Sequence, residues 1–194
     1  MNLNPEESRL YSEAVILACR AHHGQFRKYT GEPYVLHPIE VAEILRRHDR
    51  GIKVICGGVL HDVVEDTEIT SAVIQTMFGE EIANIVEGVT NVSEDKSLPR
   101  HVRFWRNVKH LAHASEQSQD VKCADIISNC RNFRLGNESF TAQYMAEKSI
   151  VIEHLYEADS CLIMEAKDAI EKNLFGIQTE FQSCVSKLWK NKTE

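Results

Sequence analysis

Proline and glycine are scarce in this chain, four and nine among 194 residues, so the usual punctuation of short strands and tight turns is thin and long helices are favoured. None of the six cysteines, at positions 19, 56, 123, 130, 161 and 184, forms a CxxC pair. Their scatter in a chain this large reads as free thiols in a reducing compartment, serving mostly as small buried apolar residues. No apolar run approaches the ~20 residues that cross a bilayer. The first seven residues have neither the basic region nor the apolar core of a secretory signal. The expected location is therefore the cytosol, with no membrane partner. An excess of positive charge is also missing. The net charge is -7 and the isoelectric point about 5.7, which argues against general nucleic-acid binding, since that shows a basic face or stripe. A small anionic substrate remains compatible, provided a local basic patch or a metal receives it.

The length suits one domain with a real core and no need of disulfides or other staples. Asn4-Pro5-Glu6-Glu7 is a helix start: a capping side chain, proline in the first turn, then acids at the positive end of the helix dipole. That helix is expected to end near His22-His23-Gly24. Residues 24–36 carry two glycines and a proline and read as an ordered polar loop. A second helix begins at His37-Pro38, with Ile39, Val41, Ala42, Ile44 and Leu45 at helical spacing. Residues 52–65 are apolar and then acidic, expected to form a buried helix opening into a site, although the β-branched residues make a strand conceivable. Short helices over 67–78 and 80–92 follow. Then come a polar loop over 93–99, a basic helix over 100–114, a linker over 115–119 and a helix over 120–133. One or two helices over 141–172 and a last one over 177–190 complete the chain. The fold class is all-α, a single domain over 1–194 of about eight to ten helices.

His61-Asp62 is the pair that suggests chemistry. On a helix, residues 61, 62, 65 and 66 share one broad face, so His61, Asp62, Glu65 and Asp66 project together directly after an apolar stretch. Three acids there repel one another unless a cation intervenes, and imidazole with carboxylate suits first-row divalent metals such as manganese, iron or zinc. The bland alternative is a solvated helix end with a chance acidic run.

His37, His61-Asp62 and Asp125 together resemble the metal set of the HD-domain phosphohydrolases. More narrowly, the chain resembles the hydrolase domain of the RelA/SpoT family and its stand-alone small alarmone hydrolases. Four stretches carry the likeness: Ala21-His22-His23-Gly24-Gln25-Phe26-Arg27-Lys28, Pro33-Tyr34-Val35-Leu36-His37-Pro38, Leu60-His61-Asp62-Val63-Val64-Glu65-Asp66-Thr67, and Val121-Lys122-Cys123-Ala124-Asp125-Ile126-Ile127-Ser128-Asn129. The likeness is good over about 8–135 and weak over the C-terminal helices, about 141–190.

That resemblance implies a manganese-dependent enzyme, other divalent metals being possible, that removes the 3′-pyrophosphate of guanosine tetra- or pentaphosphate to leave GDP or GTP. It implies metal ligation by His37, His61, Asp62 and Asp125, and handling of water by Glu65 and Asp66. Arg27, Lys28 and Asn129 are expected to contact the nucleotide, with Lys122 as a weaker candidate. No synthetase segment is recognisable, so degradation alone is expected. The chain departs from the family pattern at Ile126, usually basic, at Cys123 and at Ser128, usually histidine or tyrosine. These departures keep an adenosine alarmone, NADPH or a nucleoside monophosphate open as substrates; the non-enzymatic alternative is a nucleotide-sensing module. The pair His110 and His113 has metal-compatible spacing but no third ligand. Trp105 with Arg103 and Arg106 reads as a helix packing its indole on the core.

Overall fold

The structure, a computed structural model, describes residues 3–28, 30–92, 97–131 and 137–192. Among them lie α1 (Pro5–Ala21), α2 (Leu36–Arg47), α3 (Ile52–Leu60), α4 (Val63–Asp66), α5 (Ser71–Phe78), α6 (Glu80–Val89), α7 (Arg100–Ala112), α8 (Glu116–Arg131), α9 (Glu138–Glu153), α10 (Ser160–Glu171) and α11 (Gln178–Lys190). All are helical, and α4 is a single turn. The start of α1 is as expected: the Asn4 side chain accepts from the Glu7 N–H, and Glu7 Oε2 accepts from the Asn4 N–H, both at 2.9 Å. No helix among the described residues is long and apolar enough to cross a membrane.

Two helices form the centre. In α8 the buried residues run through Ser118–Ile127 with little break, so the helix is covered on nearly every side rather than along one stripe. It packs on α2, α3, α6 and α10. In α3 every residue from Val54 to Leu60 is buried. Its β-branched residues do not make it a strand. Among the described residues there is no sheet for it to join, only the isolated bridge of Phe26 to Pro33, and a helix satisfies its own backbone in the core. Gly57 and Gly58 let the neighbours close in: a Cβ at Gly57 would lie 2.5 Å from Ile85 Cγ2, and one at Gly58 2.6 Å from Leu45 Cδ1. The absence of two side chains thus brings α6 and α2 onto α3. One cluster of buried apolar side chains runs from α1 to α10.

Several expected boundaries shift. The helix expected over 52–65 is interrupted at His61-Asp62, where α3 ends and the short α4 begins. The linker expected over 115–119 is mostly helix. The Ser115 hydroxyl accepts the Ser118 N–H at 3.2 Å and caps α8 a turn earlier than the sequence pattern suggested. Residues 93–96 of the expected polar loop and 132–133 of the expected helix end lie outside the described residues. The described residues of the loop expected over 24–36 fold back on themselves, Arg27 N–H donating to Glu32 O at 2.8 Å and Tyr34 N–H to Gln25 O at 2.9 Å, and α2 takes over at Leu36. Trp105 is buried, and its Nε1–H donates to Leu188 O at 3.2 Å, tying α7 to α11.

Candidate functional site

Three elements converge on one point. α2 delivers His37, the α3–α4 break delivers His61 and Asp62, and α8 delivers Asp125. The His61 ring turns back so that Nδ1 lies 2.8 Å from the Gly58 carbonyl, which fixes that nitrogen as the N–H donor. The His37 Nδ1 is likewise occupied, 2.9 Å from the Ser128 hydroxyl. Both Nε2 atoms then face the same two carboxylates. His37 Nε2 lies 3.6 Å from Asp62 Oδ2 and 3.3 Å from Asp125 Oδ1; His61 Nε2 lies 3.1 Å and 3.9 Å from the same atoms. His61 Nε2 is fully buried and has no hydrogen-bond partner. Two buried imidazole nitrogens that face the same pair of carboxylates make a pocket of donors that a divalent cation fits. Ligand atoms of His37, His61 and Asp62 lie within 4.8 Å of one another. The donor set of two imidazoles and two carboxylates suits a divalent first-row cation.

The electrostatics agree. Burial alone would lower the His61 imidazole, but the Asp62 carboxylate, with help from Asp125, raises it to about 9. Burial would raise Asp62, and the charge on His61 instead holds it well below the usual carboxylate range. Asp125 is held low against its own burial, chiefly by Lys122, whose Nζ lies 2.8 Å from Asp125 Oδ2. The concentrated negative charge is thus balanced by protons and a lysine where a cation can take over. Tyr34 donates to Asp62 Oδ2 at 2.6 Å, and burial followed by the Asp62 charge raises its phenol, so it stays a donor.

The other expected residues surround this cluster. Asn129 lies one turn beyond Asp125 and donates from Nδ2 to Asp125 Oδ1 at 2.5 Å, while its Oδ1 accepts from Arg27 Nη2 at 3.0 Å. The loop over 24–36 and α8 therefore meet, 102 residues apart, at the rim. Lys28 is exposed on the same loop. Glu65 and Asp66 are exposed on α4. Glu65 accepts from the Asn91 backbone at 3.2 Å and side chain at 2.5 Å. Although its surface is exposed, the Asp66 carboxyl is partly desolvated, which raises it, as do the charges of Asp62 and Glu65. Lys122, expected to be a marginal contact, has a side chain only 16% exposed and is pinned to Asp125.

Sequence reasoning gave no role to several neighbours. A cleft of about 230 Å³ is lined by Asn91, Arg100, Arg103, Lys122 and Lys148 among others. It adjoins the cluster on two sides, through Asn91 at Glu65 and through Lys122 at Asp125. Glu147 lines it too and pairs with Arg100 at 2.8 Å, so the lining is basic on balance, which suits an anionic ligand. Arg103, which the sequence pairs with Trp105, lines this cleft. Buried His22 packs its ring on that of Tyr34 at 4.9 Å and a tilt of 42°, and bonds Gln25 at 2.8 Å, bracing the loop. Ile126, where the pattern expects a basic residue, is fully buried in the core, so the departure takes no cation from the ones just described. His110 and His113 each bond a backbone carbonyl, of Glu87 and Lys109 respectively.

Comparison with known proteins follows the same geometry. The HD domain family model matches residues 14–155. A Danio rerio guanosine-3′,5′-bis(diphosphate) 3′-pyrophosphohydrolase MESH1 is 38% identical over 149 residues, 75% of this chain and 81% of that protein. The Homo sapiens protein of the same name is 40% identical over 124 residues, 62% of this chain and 67% of that one. A solved structure described as a metazoan ortholog of SpoT that hydrolyzes ppGpp superposes with a TM-score of 0.77 at 25% identity, covering 91% of this chain and 99% of that one.

Proposed function

The chain belongs to the HD-domain family, and we propose that within it this protein is a divalent-metal-dependent hydrolase that removes the 3′-pyrophosphate of guanosine tetra- and pentaphosphate. The observation that carries the proposal is the pair of buried Nε2 atoms on His37 and His61, each within 3.9 Å of Asp62 and Asp125, beside a basic cleft. The named substrate is that of the relatives, and the cleft's chemistry supports it. Residues 1–194 are read as one domain, supported by the single continuous core.

His37, His61, Asp62 and Asp125 would hold the metal, with manganese the preferred ion. When bound, such an ion polarises a phosphoryl oxygen and lowers the pKa of water. Glu65 takes the proton of the attacking water, and Asp66 orients it. The water oxygen bonds to the phosphorus attached at the 3′ oxygen, the bond from that phosphorus to the 3′ oxygen breaks, and the 3′ oxygen takes up a proton as pyrophosphate leaves. Lys122, Arg103 and Lys148 offset charge on the phosphates. Arg27, Lys28 and Asn129 hold the nucleoside end, Arg27 with a planar guanidinium able to stack on a base. Tyr34 keeps Asp62 oriented.

Product analysis tests this. The protein is incubated with Mn2+ and a panel of guanosine and adenosine 3′-pyrophosphate nucleotides, NADPH and nucleoside monophosphates. Release of GDP or GTP with pyrophosphate, lost on chelation, is the expected result. Turnover of only the other panel members overturns the guanosine assignment and leaves the metal site. Silence across the panel overturns the enzymatic reading.

A further inference from the structure

His61 has its tautomer set by a backbone carbonyl, whereas His37 relies on side chains. The His37 Nδ1 lies 2.9 Å from Ser128 Oγ, contributed by α8. Both side chains are buried, His37 2% and Ser128 0% exposed. The Ser128 hydroxyl donates to Glu40 Oε2 at 2.9 Å. A hydroxyl has one hydrogen, and here Glu40 receives it. Ser128 can then only accept from the imidazole, so Nδ1 must carry the hydrogen and the lone pair must lie on Nε2. Glu40 is one turn along α2 from His37. Its other oxygen lies 3.5 Å from Arg131 Nη1, and Arg131 Nη2 donates to Glu165 Oε1 at 2.9 Å.

We propose that Ser128 and Glu40 form a positioning relay that holds His37 as the Nδ1–H tautomer and aims Nε2 at the metal. The relay rests on the metal reading of the cluster. It reproduces with two side chains, from α8 and α2, what the Gly58 carbonyl does for His61. Because the relay joins two helices, it also ties the ring's orientation to their packing. Neither residue touches substrate; both act through His37.

The test is Mn2+ affinity of the metal-free protein, read from the electron paramagnetic resonance signal of free Mn2+. Ser128→Ala is expected to weaken Mn2+ binding about 10–100-fold. Glu40→Met should weaken it by a smaller factor, and the double variant should match Ser128→Ala alone, because both changes break one chain. Glu40→Gln, whose amide oxygen still accepts the hydroxyl, should bind within a few fold of the parent. A parent that binds Mn2+ together with a Glu40→Met variant that binds equally well overturns the relay, whether or not Ser128→Ala folds. A double variant whose loss equals the product of the single losses also overturns it. A parent with no Mn2+ binding overturns the metal reading and the relay together.

Discussion

Replacing Glu65 with glutamine separates turnover from binding. Glu65 is exposed on α4 and accepts twice from Asn91, at 3.2 and 2.5 Å. Glutamine matches its size and keeps one carbonyl acceptor, so Asn91 retains a partner. At an exposed position of this kind the change in folding stability is about 0.5 kcal/mol or less. What disappears is the capacity to take a proton from water. General-base assistance is worth about 10²–10⁴-fold, equivalent to ~2.7–5.4 kcal/mol of barrier at about 1.36 kcal/mol per decade. The expected Glu65→Gln variant therefore has kcat reduced by at least about a hundredfold. Its Mn2+ affinity should be unchanged, because the ligand atoms belong to other residues. Pyrophosphate release at saturating nucleotide gives kcat, and free-Mn2+ titration gives the affinity. A kcat within tenfold of the parent refutes the role of Glu65. Loss of Mn2+ binding refutes it differently, by showing that the carboxylate belongs to the metal.

Chelation should abolish turnover, and Mn2+ at 100 times its Kd should stabilise the fold by ~2.7 kcal/mol, raising Tm by about 5–11 °C for a chain of this size; scanning calorimetry with and without the ion decides. Arg27→Ala removes the 3.0 Å contact to Asn129 and should raise KM for the nucleotide about tenfold or more while Mn2+ affinity holds, measured by initial rates and titration. Gly57→Ala would force a Cβ to 2.5 Å from Ile85 Cγ2, a side chain 1% exposed that has nowhere to go, so overpacking should outweigh the helix-propensity gain by about 1–2 kcal/mol in urea unfolding. Glu165 is lowered despite its burial by His48 and Arg47, the former 2.7 Å away. A depressed carboxyl contributes stability present above its unfolded pKa and lost as pH falls through the folded one. Unfolding curves of Glu165→Gln and parent should therefore differ at neutral pH and converge in acid.

Much of the site was legible from residue order. His61 and Asp62 stand out by ligand chemistry, whereas His37 and Asp125 join them through the resemblance to the HD-domain phosphohydrolases. Arg27 and Asn129 were expected near the nucleotide, and their mutual hydrogen bond across 102 residues is a detail that spacing alone does not contain. The shared helical face assumed for residues 61–66 was too simple, since α3 stops at Leu60 and His61 spends one ring nitrogen on the Gly58 carbonyl. The basic cleft was also out of reach, because Arg103, Lys122 and Lys148 come from three helices and become neighbours only when those helices pack.

The sequence by itself determined the helical class, the start of α1 through its capping box, and the residue types able to hold a divalent metal. These follow from local rules: periodicity, capping and ligand chemistry act over a few residues. Tertiary structure decided which nitrogen of His37 faces the cluster, what Ser128 bonds, and that Ile126 is buried in the core. The His37 and Ser128 outcomes depend on atoms 88 or 91 residues apart meeting at 2.9 Å, a distance that the packing of α2 on α8 creates and that no local pattern encodes.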